Sequence, residues 1–218
     1  MNYVVGDIHN DNKKFNKLLE LINLSEQDTL YILGDVFDRA DYAPDPVGVY
    51  FNILKLGARC QVLRGNHDTW LADYILDYYD RLEKKKKLLP YTYNSFELMS
   101  QRLTPVDMQN LAKYIMSWPL QIELNIAGTK YLLAHAQTSL PSETKPDDYY
   151  LMGTADSDMF LADGIDGYVS ICGHDNVGGG HIWKNALDNV YMCDCGCGFA
   201  SGKLGCLCLE TREEFYIN

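Results

Sequence analysis

Residues of the chemically active types fall at repeated places in this chain. The central stretch is Gly34-Asp35-Val36-Phe37-Asp38-Arg39, which follows the apolar run Leu30-Tyr31-Ile32-Leu33. The run reads as a buried strand, and the glycine lets the chain turn off its end. A carboxylate there suits a metal ion, and the planar guanidinium of Arg39 suits a phosphate. The same order opens the chain, as Tyr3-Val4-Val5-Gly6-Asp7-Ile8-His9, and returns in Cys60-Gln61-Val62-Leu63-Arg64-Gly65-Asn66-His67-Asp68. Leu132-Leu133-Ala134-His135 and Ile171-Cys172-Gly173-His174 add two later histidines. Four of the five histidines thus follow an apolar strand, which packing alone would not arrange. His181 lacks such a setting and reads as a surface or packing residue. Oxygen and nitrogen donors without a thiolate suit paired divalent ions of the Mn, Fe or Zn type, not a structural zinc.

These residues need strand ends to hold them. The first three strand-loop units alternate with helical periodicity, Phe15-Leu18-Leu19-Ile22 and then Val49 to Leu56, with Pro46 at a helix start and Gly57 at its end. Such a βαβαβ order predicts parallel strands, with Asp7, His9, Asp35, Asn66 and His67 on one edge of one sheet. Residues 69–118 break the alternation as a helical insertion, placed to wall or cover the site. The run Lys84-Lys85-Lys86-Lys87 reads as a solvated helix end. Gln121–Ile126 and Thr129–Ala134 predict a hairpin. Residues 138–168 read mostly as loop with one short helix. Asn189–Asp194 and Lys203–Glu210 predict a final hairpin, with Glu214–Asn218 as a last short strand. The fold class is α/β, in one domain over residues 1–218.

A net charge of -11 argues against nucleic acid as a partner, though it allows a phosphoester once local cations reverse the field. No apolar run approaches the ~20 residues of a membrane span. The first strand starts near Met1, so no signal peptide is expected, and the seven cysteines are expected as reduced thiols in a cytoplasm. Cys193, Cys195, Cys197, Cys206 and Cys208 alternate as small apolar residues do on a strand, and no Cys-x-x-Cys knuckle is present.

Taken together, Asp7-x-His9, Gly34-Asp35-x-x-Asp38-Arg39, Arg64-Gly65-Asn66-His67-Asp68, His135 and Gly173-His174 resemble the calcineurin-like metallophosphoesterases. The similarity is to the phosphoprotein phosphatase branch, which includes bacterial and phage Ser/Thr phosphatases and diadenosine tetraphosphatases. It implies two packed mixed β-sheets flanked by helices. It also implies two divalent metal ions, manganese first among Mn, Fe, Zn, Ni and Mg. Asp7 and His9 would hold one ion, Asn66, His135 and His174 the other, and Asp35 would bridge them. The implied reaction is hydrolysis of a phosphomonoester, as in a Ser/Thr protein phosphatase, by a hydroxide bridging the metals. His67 would be the general acid, oriented by Asp38, and Arg39 would bind the phosphoryl oxygens. Arg64 would be either a second phosphate contact or the structural partner of an acid. Alternatives are a diadenosine polyphosphate hydrolase or phosphodiesterase and, more remotely, a metal-binding interaction protein without turnover. The substrate would be a phosphorylated protein or a small phosphoester or nucleotide. The ending Asp194-Cys195-Gly196 with Gly202-Lys203-Leu204 resembles the closing motif of that branch. Asn10 and Ala40 stand where many relatives have glycine, and Asp68 where they have glutamate. Between His135 and His174 the chain has Lys145 but no arginine, where these phosphatases usually carry one.

Overall fold

The computed structural model describes residues 1–40, 42–153 and 157–218. Its strands form two mixed five-stranded sheets. In the first, β1 (Asn2–Val5), β2 (Thr29–Ile32) and β3 (Cys60–Val62) run parallel. The helices α1 (Asn12–Ile22) and α2 (Pro46–Leu56) make the crossovers. Both helices are capped, with Asp11 and Asp45 accepting the amides of Lys14 and Gly48, and Pro46 sits in the first turn of α2 as expected. The insertion holds α3 (Asn66–Glu83), α4 (Ser95–Ser100) and α5 (Pro105–Met116).

The second sheet begins with the expected hairpin, β4 (Gln121–Ile126) against β5 (Thr129–Ala134). After α6 (Asp147–Met152) and α7 (Ser157–Asp163), β6 (Val169–Cys172) pairs parallel to β5. The segment expected as mostly loop thus holds two short helices. β7 (Trp183–Lys184) and β8 (Val190–Met192) follow, with β8 parallel to β6. β9 (Leu204–Cys208) and β10 (Glu214–Ile217) return to the first sheet, β9 antiparallel to β1.

The expected final hairpin is therefore overturned: β8 and β9 lie in different sheets. Their alternation marks two strands but not which neighbour each takes, and both strands are buried along their whole length. Residues 193–203 carry the chain from one sheet to the other. The Cys193 amide donates to Cys172 at 2.6 Å on the second sheet, and the Gly6 amide donates to Gly205 at 3.2 Å on the first.

Strand periodicity divides the core. Val4, Tyr31, Leu33 and Leu63 point between the sheets, against Tyr131, Leu133, Ile171 and Tyr191. Val5, Leu30, Ile32 and Val62 point the other way, into a cluster with Phe15, Leu18, Ile53, Leu71 and Leu111 from the helices. One residue of register slip would exchange these faces, so burial on both sides fixes the pairing. Phe160 of α7 covers Cys172, Val190 and Met192 on the far side of the second sheet.

Candidate active site

Each sheet presents the carboxyl ends of three adjacent parallel strands, and the site lies where the two sets of ends meet. Asp7 and His9 follow β1, Asp35 to Arg39 follow β2, and Asn66 and His67 open α3 after β3. His135 follows β5 and His174 follows β6. The Asn66-His67-Asp68 triplet is the first turn of α3 and not a free loop. Asp68 brings this about: its Oδ2 accepts the Gly65 amide at 3.0 Å, and its Oδ1 accepts the amides of Val36 and Phe37 at 2.9 and 3.2 Å. One buried carboxylate thus ties the β2 loop to the helix start. Asp35 Oδ1 in turn accepts the His67 amide at 3.0 Å, placing its charge at the helix N-terminus.

Backbone strain marks these loops. His9, Asn10, Asp35, Asp38, Arg39, Ala40 and His174 all hold φ between 44° and 65°. Side chains other than glycine adopt this region at a cost and persist there where the surrounding structure over-determines it. It accounts for two departures noted above: Asn10 (φ 64°) and Ala40 (φ 51°) occupy left-handed positions that glycine would take without strain. Two glycines are instead required by close approach. A Cβ on Gly65 would lie 2.2 Å from Asp35 Oδ1, and one on Gly173 would lie 2.3 Å from Asp7 Oδ1.

Asp7, His9 and Asp35 bring one donor atom each within 4.8 Å of one another, and Asp35, His135 and His174 do the same. Asp35 is common to both groups. His9 Nε2 lies 3.8 Å from Asp7 Oδ2 and 3.7 Å from Asp35 Oδ2, and His135 Nε2 lies 3.4 Å from Asp35 Oδ1. His9 Nδ1–H donates to the Phe37 carbonyl at 3.1 Å and His135 Nδ1–H to the Leu33 carbonyl at 2.8 Å. Those bonds leave both Nε2 atoms as lone pairs facing the carboxylates. Asn66 Oδ1 lies 2.9 Å from His135 Nε2, so a second acceptor faces the same lone pair. Asp7 Oδ2 is buried and has no hydrogen-bond partner. Acceptors converging in excess of the donors that face them fit cations, and the set of carboxylate, amide oxygen and imidazole fits divalent ions.

The electrostatics agree. Burial, then the charges of Asp194 and Asp35, hold Asp7 well above the usual carboxylate range. Burial, then Asp68, does the same to Asp35. Burial also pushes Asp68 up to about 7 and Asp194 up to about 6. His9 and His135 are driven well below the usual imidazole range, mainly by burial. Neutral imidazoles and charge-starved carboxylates form a cavity that stands to gain from positive charge.

His67 stands beside this group, with its Nδ1 3.4 Å from Asp38 Oδ2 and its ring edge-on to His9 at 5.1 Å. Arg39 reaches the site, Nη1 lying 3.2 Å from His9 Nε2, with its guanidinium over the Phe199 ring. Arg64 is bonded outside this group. Its Nη2 donates to Asp147 Oδ2 at 2.8 Å and its Nη1 to Met116 Sδ at 3.4 Å, binding α5 to α6. Of the two roles expected for Arg64, these bonds fit the structural partner of an acid. His181 stays outside the group, on Lys203 and Tyr216.

Sequence reading missed Asp194 as a member of the site. It follows β8 as Asp7 follows β1, but without the preceding glycine, and it was assigned only to the closing motif. It is buried, accepts the Gly196 amide at 2.8 Å, and its charge is the foremost neighbouring charge acting on Asp7. The cysteines are free thiols, six of them buried. Burial pushes Cys60 and Cys195 up to about 12, which favours the protonated thiol, and no cysteine joins either carboxylate-histidine group found among the described residues.

The profile of the calcineurin-like phosphoesterases matches residues 3–193. The chain is 28% identical over 135 residues to a symmetrical bis(5'-nucleosyl)-tetraphosphatase of Acidovorax ebreus, covering 62% of this chain and 43% of that protein. It is 31% identical over 83 residues to a Caenorhabditis elegans protein assigned as a serine/threonine-protein phosphatase, covering 38% and 23%. The chain thus spans less than half the length of these relatives. In fold it is similar to a crystal structure assigned as a diadenosine tetraphosphatase, with TM-score 0.67 and 17% identity over 99% of this chain and 92% of that one. A Saccharomyces cerevisiae serine/threonine phosphatase gives 0.58 and 16% over 99% and 78%. With two carboxylate-histidine groups sharing Asp35 at the meeting of two sheets, and a family match along most of its length, the chain belongs to the calcineurin-like phosphoesterases.

Proposed function

We propose that this chain is a metal-dependent hydrolase of phosphoester bonds. The observation that carries the reading is the sharing of Asp35 between two donor groups in a buried, acceptor-rich cavity. Asp7, His9 and Asp35 would hold one divalent ion, and Asp35, Asn66, His135 and His174 the other. When bound, such ions lower the pKa of water and neutralise phosphoryl oxygens.

The remaining roles belong to the chain itself. His67 gives a proton to the leaving-group oxygen. Asp38, with Oδ2 3.4 Å from the His67 Nδ1, orients the ring. Arg39 binds the phosphoryl oxygens. Arg64 keeps α5 and α6 in place through Asp147. Asp68 and the α3 amide of His67 hold Asp35 in its strained conformation.

The substrate expected from sequence is a phosphomonoester of the phosphorylated serine or threonine type. A second reading, a dinucleoside polyphosphate, is favoured by one observation, a pair of parallel aromatic rings beside His67. The test is metal content of the purified protein, with Mn²⁺-dependent turnover of para-nitrophenyl phosphate, bis-para-nitrophenyl phosphate and diadenosine tetraphosphate. Two metals per chain with monoester turnover supports the first reading. Turnover confined to the diester or anhydride moves the assignment to the second. Metal binding with no turnover on any of the three, nor on a panel of phosphopeptides, defeats the hydrolase.

A further inference from the structure

The insertion lays aromatic rings along one side of the site. Trp70 lies one turn beyond His67 on α3, and Tyr93 lies in the connection before α4. Their rings are parallel, at 1° and 6.1 Å between centroids. Both meet the His67 ring at 61°, with centroids 4.9 and 4.5 Å away. Trp70 is 40% exposed, unusual for the largest apolar side chain, and it offers that surface next to the imidazole.

Tyr93 is held in this position by its neighbours. Tyr91 Oη donates to Asp38 Oδ2 at 2.5 Å, and Asn94 Nδ2 donates to the Arg39 carbonyl at 2.7 Å. Ser95 Oγ accepts the Asp38 amide at 2.7 Å, and Asn10 Nδ2 donates to Asn94 Oδ1 and to Ser95 Oγ, each at 3.0 Å. Every one of these partners sits on the loops after β1 and β2 that carry the site. The segment around Tyr93 is therefore locked to Asp38 and Arg39 rather than draped over them. Behind it, Tyr91 packs on Tyr74 at 4.6 Å, which packs on Phe96 at 4.8 Å.

We propose that Trp70 and Tyr93 form a nucleobase-binding shelf for the leaving group of a nucleotide substrate. The inference rests on the reading that His67 faces the leaving group of a phosphoester; a group departing toward His67 meets these two rings. Flat π surfaces held rigid in advance recognise a flat ligand without conformational loss. At a net charge of -11 the chain's general field adds no attraction for a polyanion beyond that of the ions and Arg39 at the site, so an apolar contact remote from the phosphate is a source of affinity independent of that field. A nucleotide brings a planar ring in every molecule, whereas a phosphopeptide brings one only where its sequence supplies an aromatic residue.

The experiment uses the Mn²⁺-loaded chain. ADP and pyrophosphate are titrated separately by calorimetry, and indole emission is followed with ADP. Wild type is compared with Trp70→Leu, Tyr93→Leu and Trp70→Phe, with circular dichroism to verify folding. The expected result is quenching of indole emission by ADP in wild type. Each Leu variant weakens ADP roughly tenfold relative to pyrophosphate, the scale of one lost base–aromatic stack. Trp70→Phe retains most of the ADP affinity. The ratio of kcat/KM for diadenosine tetraphosphate to that for phosphoserine falls in parallel. Equal weakening of ADP and pyrophosphate would mean that the rings merely support His67, and would overturn the shelf. So would unchanged ADP affinity, or a larger loss on a phosphothreonine peptide than on the dinucleotide. Trp70-dependent ADP binding without any turnover would defeat the hydrolase reading and leave the shelf standing. Turnover with an unchanged substrate ratio would do the reverse.

Discussion

Replacing Asp35 by Asn gives opposite outcomes in metal-free and metal-loaded protein. In the metal-free state Asp35 is a buried carboxylate, 1% exposed, with Asp68 close enough to raise its pKa further. One oxygen accepts the His67 amide at 3.0 Å, and Arg39 is the cation opposing the burial. An Asn oxygen keeps the amide bond and removes the charge. A buried ion costs several kcal/mol before compensation, and with one backbone bond and one guanidinium left in its favour the uncompensated part is about 2 kcal/mol. Metal-free D35N should therefore be more stable than metal-free wild type by about that amount near pH 8. With metal the order reverses. Each ion present at 1,000 times its dissociation constant adds about 4 kcal/mol to the wild type, and the variant loses the donor common to both groups. Urea unfolding in EDTA and in excess Mn²⁺, together with metal analysis by mass spectrometry, reads both halves. Two-metal occupancy in D35N would refute the shared carboxylate. A metal-free variant less stable than wild type would refute the account of Asp35 as an uncompensated charge.

His67→Asn should lower turnover by roughly two to four orders of magnitude with metal still bound; unchanged rates on an ester with a poor leaving group would sink the acid role. Ala40→Gly exchanges about 1–2 kcal/mol of left-handed strain for about 0.4–1 kcal/mol of unfolded-chain entropy, so it should be neutral or stabilising. A lower urea midpoint, by more than about 1 kcal/mol, would contradict that reading of the loop. Metal-free stability should fall as pH rises from 6.5 to 8. Asp68, raised from 3.8 to about 7, keeps its proton in the folded state after the unfolded chain has lost it, and Asp7 and Asp35 act in the same direction. The lowered His9 and His135 act oppositely, but mainly below their ordinary 6.5, where the unfolded chain takes up protons. Denaturant midpoints in EDTA that climb over this interval would show the carboxylates to be compensated without metal.

The sequence alone determined the candidate donors. Strand, turn, carboxylate and histidine recur because a ligand at the end of a parallel strand needs an apolar run behind it and a tight turn after it, and both leave local marks. The helices, with Pro46 at the start of α2 and Gly57 at its end, were legible for the same reason: such end signals act within a few residues. Contacts between distant segments leave no such mark, and the tertiary structure decided those. It placed His135 and His174 on a second sheet facing the first, and it sent β9 away from β8, because strand alternation records burial but not the partner. It brought Asp194 against Asp7, although 187 positions of sequence separate them, and it committed Arg64 to Asp147. The pinning of Tyr93 over His67 was equally beyond the sequence. It depends on Asn10, Asp38 and Arg39 meeting residues 91–95, and only the packing of the insertion onto the strand-end loops brings them together.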